Sequence, residues 1–312
     1  MLSVSDTVTH WWRLLSGEGL QTALTPGQQW PTTRNTVLTQ LYQVRDVDST
    51  ATWRRARRTH WDLLAAIVKS GCELSPLLTA VPFVDASIFR VDWLHCADLG
   101  ISADFLGNVF CLFMTKLEGR SLKEKCRALW QKLQTWYKDT KCQEQLQHLV
   151  VTMIRLPSKP PKLRCSAAQC RALIPFAAKL CVELLDANVP VEAAAMSAME
   201  NLHQCYKALS SRTIFHADLL RECSLRFAAQ YVALEAAADD SFSWRIKPKL
   251  HLFLELCGEG SKPATFWSYR DEDFGGSVSR FSRRRGGLLS VKGFSTNLLQ
   301  RFKMAQPVLR MV

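Results

Sequence analysis

The chain has 312 residues, 47% of which are hydrophobic, and it carries a formal net charge of +12. This length suits one large or two ordinary domains, and the apolar content is enough to bury a core. No run of 18 or more apolar residues occurs, which predicts that no segment spans a membrane. The eleven cysteines are odd in number and scattered, as expected for reduced thiols in an intracellular protein.

The first 70 residues divide into an irregular leader and a helix. Residues 1–50 mix tryptophans with Gly/Pro/Thr-rich turns and have no clear period, whereas residues 51–70 carry apolar side chains at helical spacing. Gly71 stands where that helix would stop. Between two tryptophans lie four arginines, namely Arg54, Arg55, Arg57 and Arg58. Guanidinium groups pair with phosphate and stack on bases, so this cluster favours nucleic-acid binding, with a solvated helix face as the alternative.

Next along the chain come a short apolar run and a long apolar helix. The run "SIFRVDW", residues 87–93, is β-branched and aromatic and is predicted to form a buried strand. The stretch "SADFLGNVFCLFMTKL" is predicted to be a helix capped by Ser102. Because it is apolar on nearly all sides, we expect it in the core. Between them, Asp98 in "CADLG" is interpreted as a turn or cap residue.

Asp92 and His95 lie three residues apart, directly after the β-branched run "SIFRV". A carboxylate and an imidazole at this spacing on a first helical turn face the same way, which suits acid, base or metal chemistry. The alternative is that Asp92 caps a helix and His95 is a packed, half-buried side chain. Taken alone, the ten residues "VDWLHCADLG" favour the interpretation of Asp92 as a helix cap over that of a site.

From about residue 121 to residue 240 the sequence predicts four or five amphipathic helices. Apolar side chains at helical spacing mark residues 121–139, 143–156, 167–185, 191–209 and 217–238. The sequence pattern then changes, with the stretches "WRIKPKLHLFLELC" and "TFWSYRDEDFGG". In the first of these, His251 alternates with apolar neighbours and is interpreted as a packed histidine rather than a catalytic one.

The C-terminal region of the chain is strongly basic. Residues 270–310 contain nine Lys/Arg against three acids, a difference of +6. Arg283, Arg284 and Arg285 are its densest cluster. Together with the arginines at 54–58, this cluster predicts weak DNA binding without sequence preference.

Three stretches in this order resemble one protein family. "DWLHCADLGISADFLGNVF", then a long helical block, then "KPKLHLFLEL" and "FWSYRDEDFGG" are similar to the C-terminal two thirds of the catalytic domain of DDE transposases of the CACTA and Plavaka/KDZ kind. The resemblance covers roughly residues 55–285. It implies an RNase H-like fold in which a large helical insertion separates the middle of the sheet from the helix that bears the last glutamate.

The resemblance also assigns site residues. Asp92 and His95 match the family's Asp/Cys-x-x-His motif, and Glu272 matches its last acid. The family's late Pro-Lys-x-His segment is matched by Pro248, Lys249 and His251. These matches imply that Asp92, His95 and Glu272 share one pocket. Asp92 and Glu272 would then bind Mg²⁺ or Mn²⁺ if the protein is active.

The domain organisation follows from the same resemblance. We expect a leader (1–50), the first segment of an RNase H-like core (51–120), a helical insertion (121–240), the second segment of that core (241–287) and a basic C-terminal helix or tail (288–312). The fold class is therefore mainly α, with a remnant RNase H-like α/β core and a small sheet. That sheet should join "IFRVD" to "TFWSY".

The sequence departs from the family upstream of residue 52. A DDE site needs three carboxylates around two divalent metals, but this region has no Gly-Asp-Trp, no Cys-x-x-Cys and no acid nearby except Asp46 and Asp48. We therefore expect a truncated, decayed or repurposed transposase that binds DNA and is catalytically inactive. The protein would be nuclear if it binds DNA. A further hypothesis is that it associates with copies of itself. The alternative is a non-catalytic helical protein that mediates protein contacts.

Overall fold

The computed structural model describes residues 45–48, 50, 51, 60–71, 90–210, 214–239, 243–284 and 300. The arginines at 54–58, residues 87–89 of the predicted strand, Arg285 and nearly all of the predicted leader and tail lie outside the described residues. The chain divides into two compact units, residues 1–266 and residues 267–312.

Helices make up most of the described region of the first unit. They are α1 (His60–Lys69), a π-helix (Leu94–Ser102), α2 (Ala103–Lys116), α3 (Leu122–Thr140), α4 (Val151–Ile154), α5 (Ala167–Leu184), α6 (Pro190–Ser210), α7 (Ala217–Ala236), α8 (Lys249–Gly258) and a 3-10 turn (Pro263–Thr265). The described region of the second unit contains α9 (Tyr269–Arg284). The prediction of a mainly α protein is confirmed.

The π-helix and α2 form one continuous helical segment at the centre of the first unit. Phe105, Leu106 and Phe110 on this segment are fully buried. By length and composition the segment could cross a membrane, with a mean hydropathy of 1.4, but 83% of the apolar window is buried inside the protein. It is thus the core helix that the sequence predicts, because α5 and α8 pack against it and aromatic side chains of α7 contact it.

The start of this core helix differs from the prediction. Ser102 lies inside the continuous segment, has helical backbone angles and makes no capping hydrogen bond. Its hydroxyl instead contacts the hydroxyl of Tyr206 at 2.7 Å. The prediction of a cap at Ser102 was wrong because the helix begins about two turns earlier, directly after Asp92.

Aromatic side chains join the core helix to the helices around it. The ring of Phe105 lies 5.1 Å from that of Phe227 and 5.3 Å from that of Tyr231, both on α7. Further along, Phe110 meets Phe176 of α5 edge to face at 6.2 Å. Such ring pairs contribute about 0.5–1.5 kcal/mol each beyond the burial of their surface.

Gly107 allows the segment after α4 to cross the core helix closely. A Cβ atom at this position would lie 2.4 Å from the backbone nitrogen of Lys162. The crossing segment is fixed by two backbone hydrogen bonds, from Leu163 to the carbonyl of Ala103 and from Lys162 to the carbonyl of Ile154, each 2.8 Å. The helical block that the sequence predicts over residues 121–240 is therefore interrupted by a strap that requires glycine beneath it.

The predicted sheet is absent from the described residues. Of the segment "TFWSY", Thr265 ends a 3-10 turn and Tyr269 begins α9, so its prediction as a strand was wrong. Arg90 is also not in a strand. Its guanidinium group lies 4.7 Å from the ring centre of Phe266 and donates to Ser261 at 3.0 Å. A proline-initiated turn and this cation–π contact have overridden the β-propensity of the aromatic residues.

The predicted helices at 121–139, 167–185, 191–209 and 217–238 are confirmed, but residues 143–156 are mostly irregular. Only the four residues of α4 are helical there. The hydroxyl of Tyr137 accepts the backbone N–H of Leu146 at 3.0 Å, and the Gln145 side chain donates to the carbonyl of Cys142 at 2.6 Å. Because side chains satisfy these backbone groups, a helix is not required there.

Buried thiols and phenols have raised pKa values throughout the first unit. Burial raises the pKa of Cys181 to about 12 and that of Tyr137 to about 12. It also raises the pKa values of Cys205 and Tyr231 well above their ordinary values. The folded chain thus holds these protons at pH values where an unfolded chain releases them.

We predict that the free energy of unfolding falls steadily as the pH rises above about 8.5, where an exposed thiol begins to ionise, and through about 10 for phenols. The stability that these raised pKa values contribute is fully present below about pH 8.5. It is lost as the pH rises towards the pKa values of the folded chain, which are near 12 for Cys181 and Tyr137. Urea unfolding at a series of pH values, followed by circular dichroism, measures this free energy of unfolding. A midpoint that stays constant across this range would contradict the prediction.

Candidate functional site

Asp92 and His95 are in direct contact at the start of the core helix. The Oδ2 atom of Asp92 accepts the backbone N–H of His95 at 3.0 Å and lies 2.6 Å from the Nδ1 atom of the His95 ring. Their side chains are 18% and 14% exposed. One carboxylate oxygen therefore caps the helix and also fixes the orientation of the imidazole, so both sequence interpretations describe aspects of the same geometry.

Lys249 holds this helix start against α8. Its ammonium group donates to the carbonyl of His95 at 3.0 Å, and the thiol of Cys96 donates to the Lys249 carbonyl at 3.5 Å. Gly100 leaves room for the aliphatic portion of Lys249, since a Cβ atom there would lie 2.7 Å from its Cδ atom. The structure thus brings the Asp92-x-x-His95 motif into contact with the Pro-Lys-x-His segment, which lies about 150 residues further along the chain.

His251 of the same segment is buried, as the sequence predicts. It is 5% exposed, and its Nε2 atom lies 3.1 Å from the carboxylate of Glu255, one turn further along α8. Cys96 is also buried, and burial raises the pKa of its thiol. A protonated, enclosed thiol is a poor nucleophile, so the structure does not support nucleophilic chemistry by Cys96 beside His95.

Asp98 belongs to a buried polar cluster and is not a turn residue. It is fully buried, and the hydroxyl of Tyr206 on α6 donates to its carboxylate at 2.5 Å. Burial, followed by the nearby charge of Asp98, raises the pKa of Tyr206 well above its ordinary value. The prediction of a turn was wrong because the carboxylate obtains its partner from a residue 108 positions away, which no local pattern reveals.

A second buried carboxylate, Asp104, follows six residues later on the core helix. Lys247 binds it at 2.9 Å, and the ammonium group of Lys162 lies 3.8 Å away and donates to the carbonyl of Leu99 at 2.8 Å. Asn108 accepts the backbone N–H of Trp244 at 2.7 Å. Sequence reasoning missed this cluster, although two polar side chains four residues apart in an apolar helix are a usable signal.

Glu272 lies in the second unit. It is an exposed residue in the first turn of α9, and its backbone N–H donates to the carbonyl of Ser268 at 2.9 Å. A carboxylate in a first helical turn is stabilised by the helix dipole. Asp92 belongs to the first unit, so a pocket shared by Asp92, His95 and Glu272 stays a prediction.

The remaining predicted residues concern nucleic acid and metal. Arg283 and Arg284 lie in the last turn of α9, whereas Arg54, Arg55, Arg57, Arg58 and Arg285 lie outside the described residues. Within the described region of the chain, no group of three or more His, Cys, Asp or Glu side chains could hold a metal ion. The Asp92–His95 pair supplies one carboxylate, which is fewer than a two-metal site requires.

Comparison with family models, with curated proteins and with solved structures finds no match to this chain.

We predict that Asp92→Ala lowers the free energy of unfolding by about 1 kcal/mol, because the N–H of His95 loses its acceptor, whereas Asp92→Asn stays within a few tenths of a kcal/mol. Asparagine keeps the capping oxygen but removes the charge. Urea unfolding of both variants beside the wild type measures the difference. Equal destabilisation by both substitutions would mean that the charge facing His95, and not the cap, is what matters.

Proposed function

We propose that this chain is a DNA-binding protein derived from a DDE transposase of the CACTA and Plavaka/KDZ kind, and that by itself it does not cut or join DNA. In this proposal the helices from α3 to α7 correspond to the family's helical insertion. Residues 51–120 and 241–287 correspond to the two segments of a remnant RNase H-like core.

The observation that carries the proposal is the contact between two motifs matched separately in the sequence. Lys249 of the Pro-Lys-x-His segment binds the carbonyl of His95, and its own carbonyl accepts the thiol of Cys96. Short motifs that match a family by chance have no reason to meet across about 150 residues. Their contact at the start of the core helix therefore supports descent from one site.

Electrostatics supports the choice of DNA as the partner. The net charge of +12 gives the chain an attraction for phosphate, and arginine clusters bind phosphate bidentately. Contacts to the phosphate backbone carry no sequence information. The proposed binding is therefore non-specific, through Arg54, Arg55, Arg57 and Arg58 and through Arg283, Arg284 and Arg285.

Lack of cleavage follows from the number of carboxylates. In-line phosphoryl transfer by two metal ions needs several carboxylate ligands, and only Asp92 and Glu272 match the family's acids. Loss of one essential member of such a group usually removes most of the rate. If the chain were active, the resemblance implies Mg²⁺ or Mn²⁺ as its cofactor, and His95 would orient the Asp92 carboxylate.

A second candidate function, protein binding, is favoured by the surface of α1. Trp61 is 76% exposed and Val68 is 64% exposed, and they lie seven residues apart on one face with Leu64 between them. Exposed apolar side chains in a row are typical of surfaces that contact other proteins. A chain that binds no DNA would favour this function.

We predict that the purified chain retains labelled DNA in filter binding at about 50 mM salt and loses several orders of magnitude in affinity by about 200 mM, because phosphate contacts release counterions. It should not cleave supercoiled DNA in the presence of Mn²⁺. No retention at low salt would refute DNA binding. Mn²⁺-dependent cleavage abolished by Glu272→Gln would refute inactivity and would mean that an unidentified acid completes the site.

A further inference from the structure

One face of α3 is exposed and carries cationic and amide side chains without any carboxylate. This basic face consists of Lys123, Arg127, Gln131, Gln134 and Lys138, all of which are exposed. At about 100° per residue they fall within an arc of about 80°, and they extend over about 22 Å of the helix axis. Such an arc is a continuous surface and not a scatter of charges.

The opposite side of α3 fixes the orientation of the basic face. Cys126, Leu129, Leu133, Trp136 and Tyr137 are buried, and the helix packs with them against α2 and α4. The N-terminus of α3 is held by Ser121, whose hydroxyl accepts the N–H of Glu124 at 3.2 Å. The basic face is therefore presented by a helix that is anchored in the core and capped.

The acids near α3 do not neutralise its basic face. The Glu124 carboxylate turns back to accept the backbone N–H of Arg120 at 2.7 Å. Glu183 pairs with Lys132, on another side of the helix, at 3.6 Å. Within the described region of the chain, no ion pair involves Lys123, Arg127 or Lys138. The positive charge of the face is thus available to a partner.

The surroundings of α3 extend the same charge. Residues 120–164 contain eleven Lys/Arg against three acids, a difference of +8, whereas the whole chain carries +12. Residues 120–164, which include α3 and the strap, are therefore one of two strongly basic stretches of the chain, the other being residues 270–310 with a difference of +6. Exposed Lys141 lies directly past the end of α3, and exposed Arg155 and Lys159 lie on the strap.

We infer that the basic face of α3 binds the phosphate backbone of duplex DNA, in addition to the arginine clusters at 54–58 and 283–285. This inference rests on the proposed DNA binding. Lysine and arginine neutralise phosphates, and the glutamines between them donate hydrogen bonds to phosphate oxygens without adding charge. At 3.4 Å per base pair, about 22 Å of helix faces roughly six base pairs.

The test compares two triple variants that remove the same charge. Lys123→Gln/Arg127→Gln/Lys138→Gln changes the basic face, whereas Lys207→Gln/Arg221→Gln/Arg226→Gln changes exposed cations on α6 and α7, two of which already pair with acids. Fluorescence anisotropy with a labelled DNA duplex is measured over a series of salt concentrations. Circular dichroism of each variant checks that the helices are retained.

We predict that the basic-face variant binds DNA about tenfold or more weakly at low salt, and that its slope of log K against log salt is less negative by about 2.7, since each phosphate contact contributes about 0.9. The matched control should keep the wild-type slope. A second variant, Gln131→Glu/Gln134→Glu, adds repulsion without shortening any side chain or lowering helix propensity, and it should also weaken binding.

The outcomes separate this inference from the proposed function. If the wild type binds DNA and the basic-face variants bind equally well, the assignment of α3 is wrong and the arginine clusters carry the binding. Equal losses in the basic-face variant and the matched control would also overturn it, because net charge alone would explain the affinity. Equal binding of polyglutamate would overturn the assignment to nucleic acid. A wild type that does not bind duplex DNA at low salt would refute both the assignment of α3 and the proposed DNA binding.

Discussion

Two carboxylates buried on one apolar helix constrain how the other segments of the first unit pack around it. Asp98 and Asp104 are placed in the core by the helix that bears them, and a buried carboxylate without a partner costs several kcal/mol. Each obtains its partner from a distant segment: Tyr206 of α6 binds Asp98, and Lys247, before α8, binds Asp104. Segments more than 100 residues apart are therefore held to one helix by polar contacts as well as by apolar packing.

The same helix organises the surfaces to which we assign function. Its first turn carries the Asp92–His95 pair, and α8 closes over that turn through Lys249. Its apolar surface provides the base on which α3 packs, so that the basic face of α3 points to solvent. A helix anchored in this way fixes the backbone positions of the cations in the proposed DNA contact. The core helix thus links the motif contact to the proposed DNA contact.

Periodicity predicted most of the fold, since the core helix and four of the five helices in 121–240 are amphipathic or apolar at a spacing of 3.6. Periodicity failed at residues 143–156, where side chains and not a helix satisfy backbone groups. It also failed where a turn beginning at Pro263 and the contact of Arg90 outweigh the β-propensity of aromatic residues. The Asp92–His95 contact could be predicted because its members are three residues apart. For the clusters at Asp98 and Asp104, polar residues in an apolar helix were a signal of burial, but their partners could not be predicted, since a single sequence gives no indication that Tyr206 or Lys247 returns to the core helix.

Hydrogen–deuterium exchange of the whole chain, followed by mass spectrometry, tests most directly whether the core helix and its buried carboxylates hold the first unit together. We expect amides of residues 94–116 to exchange more slowly than those of α1 and α9. Tyr206→Phe, which removes a donor from Asp98, should speed exchange in the core helix and in α6 together. Exchange in residues 94–116 as fast as in α9, or unchanged by Tyr206→Phe, would contradict the account.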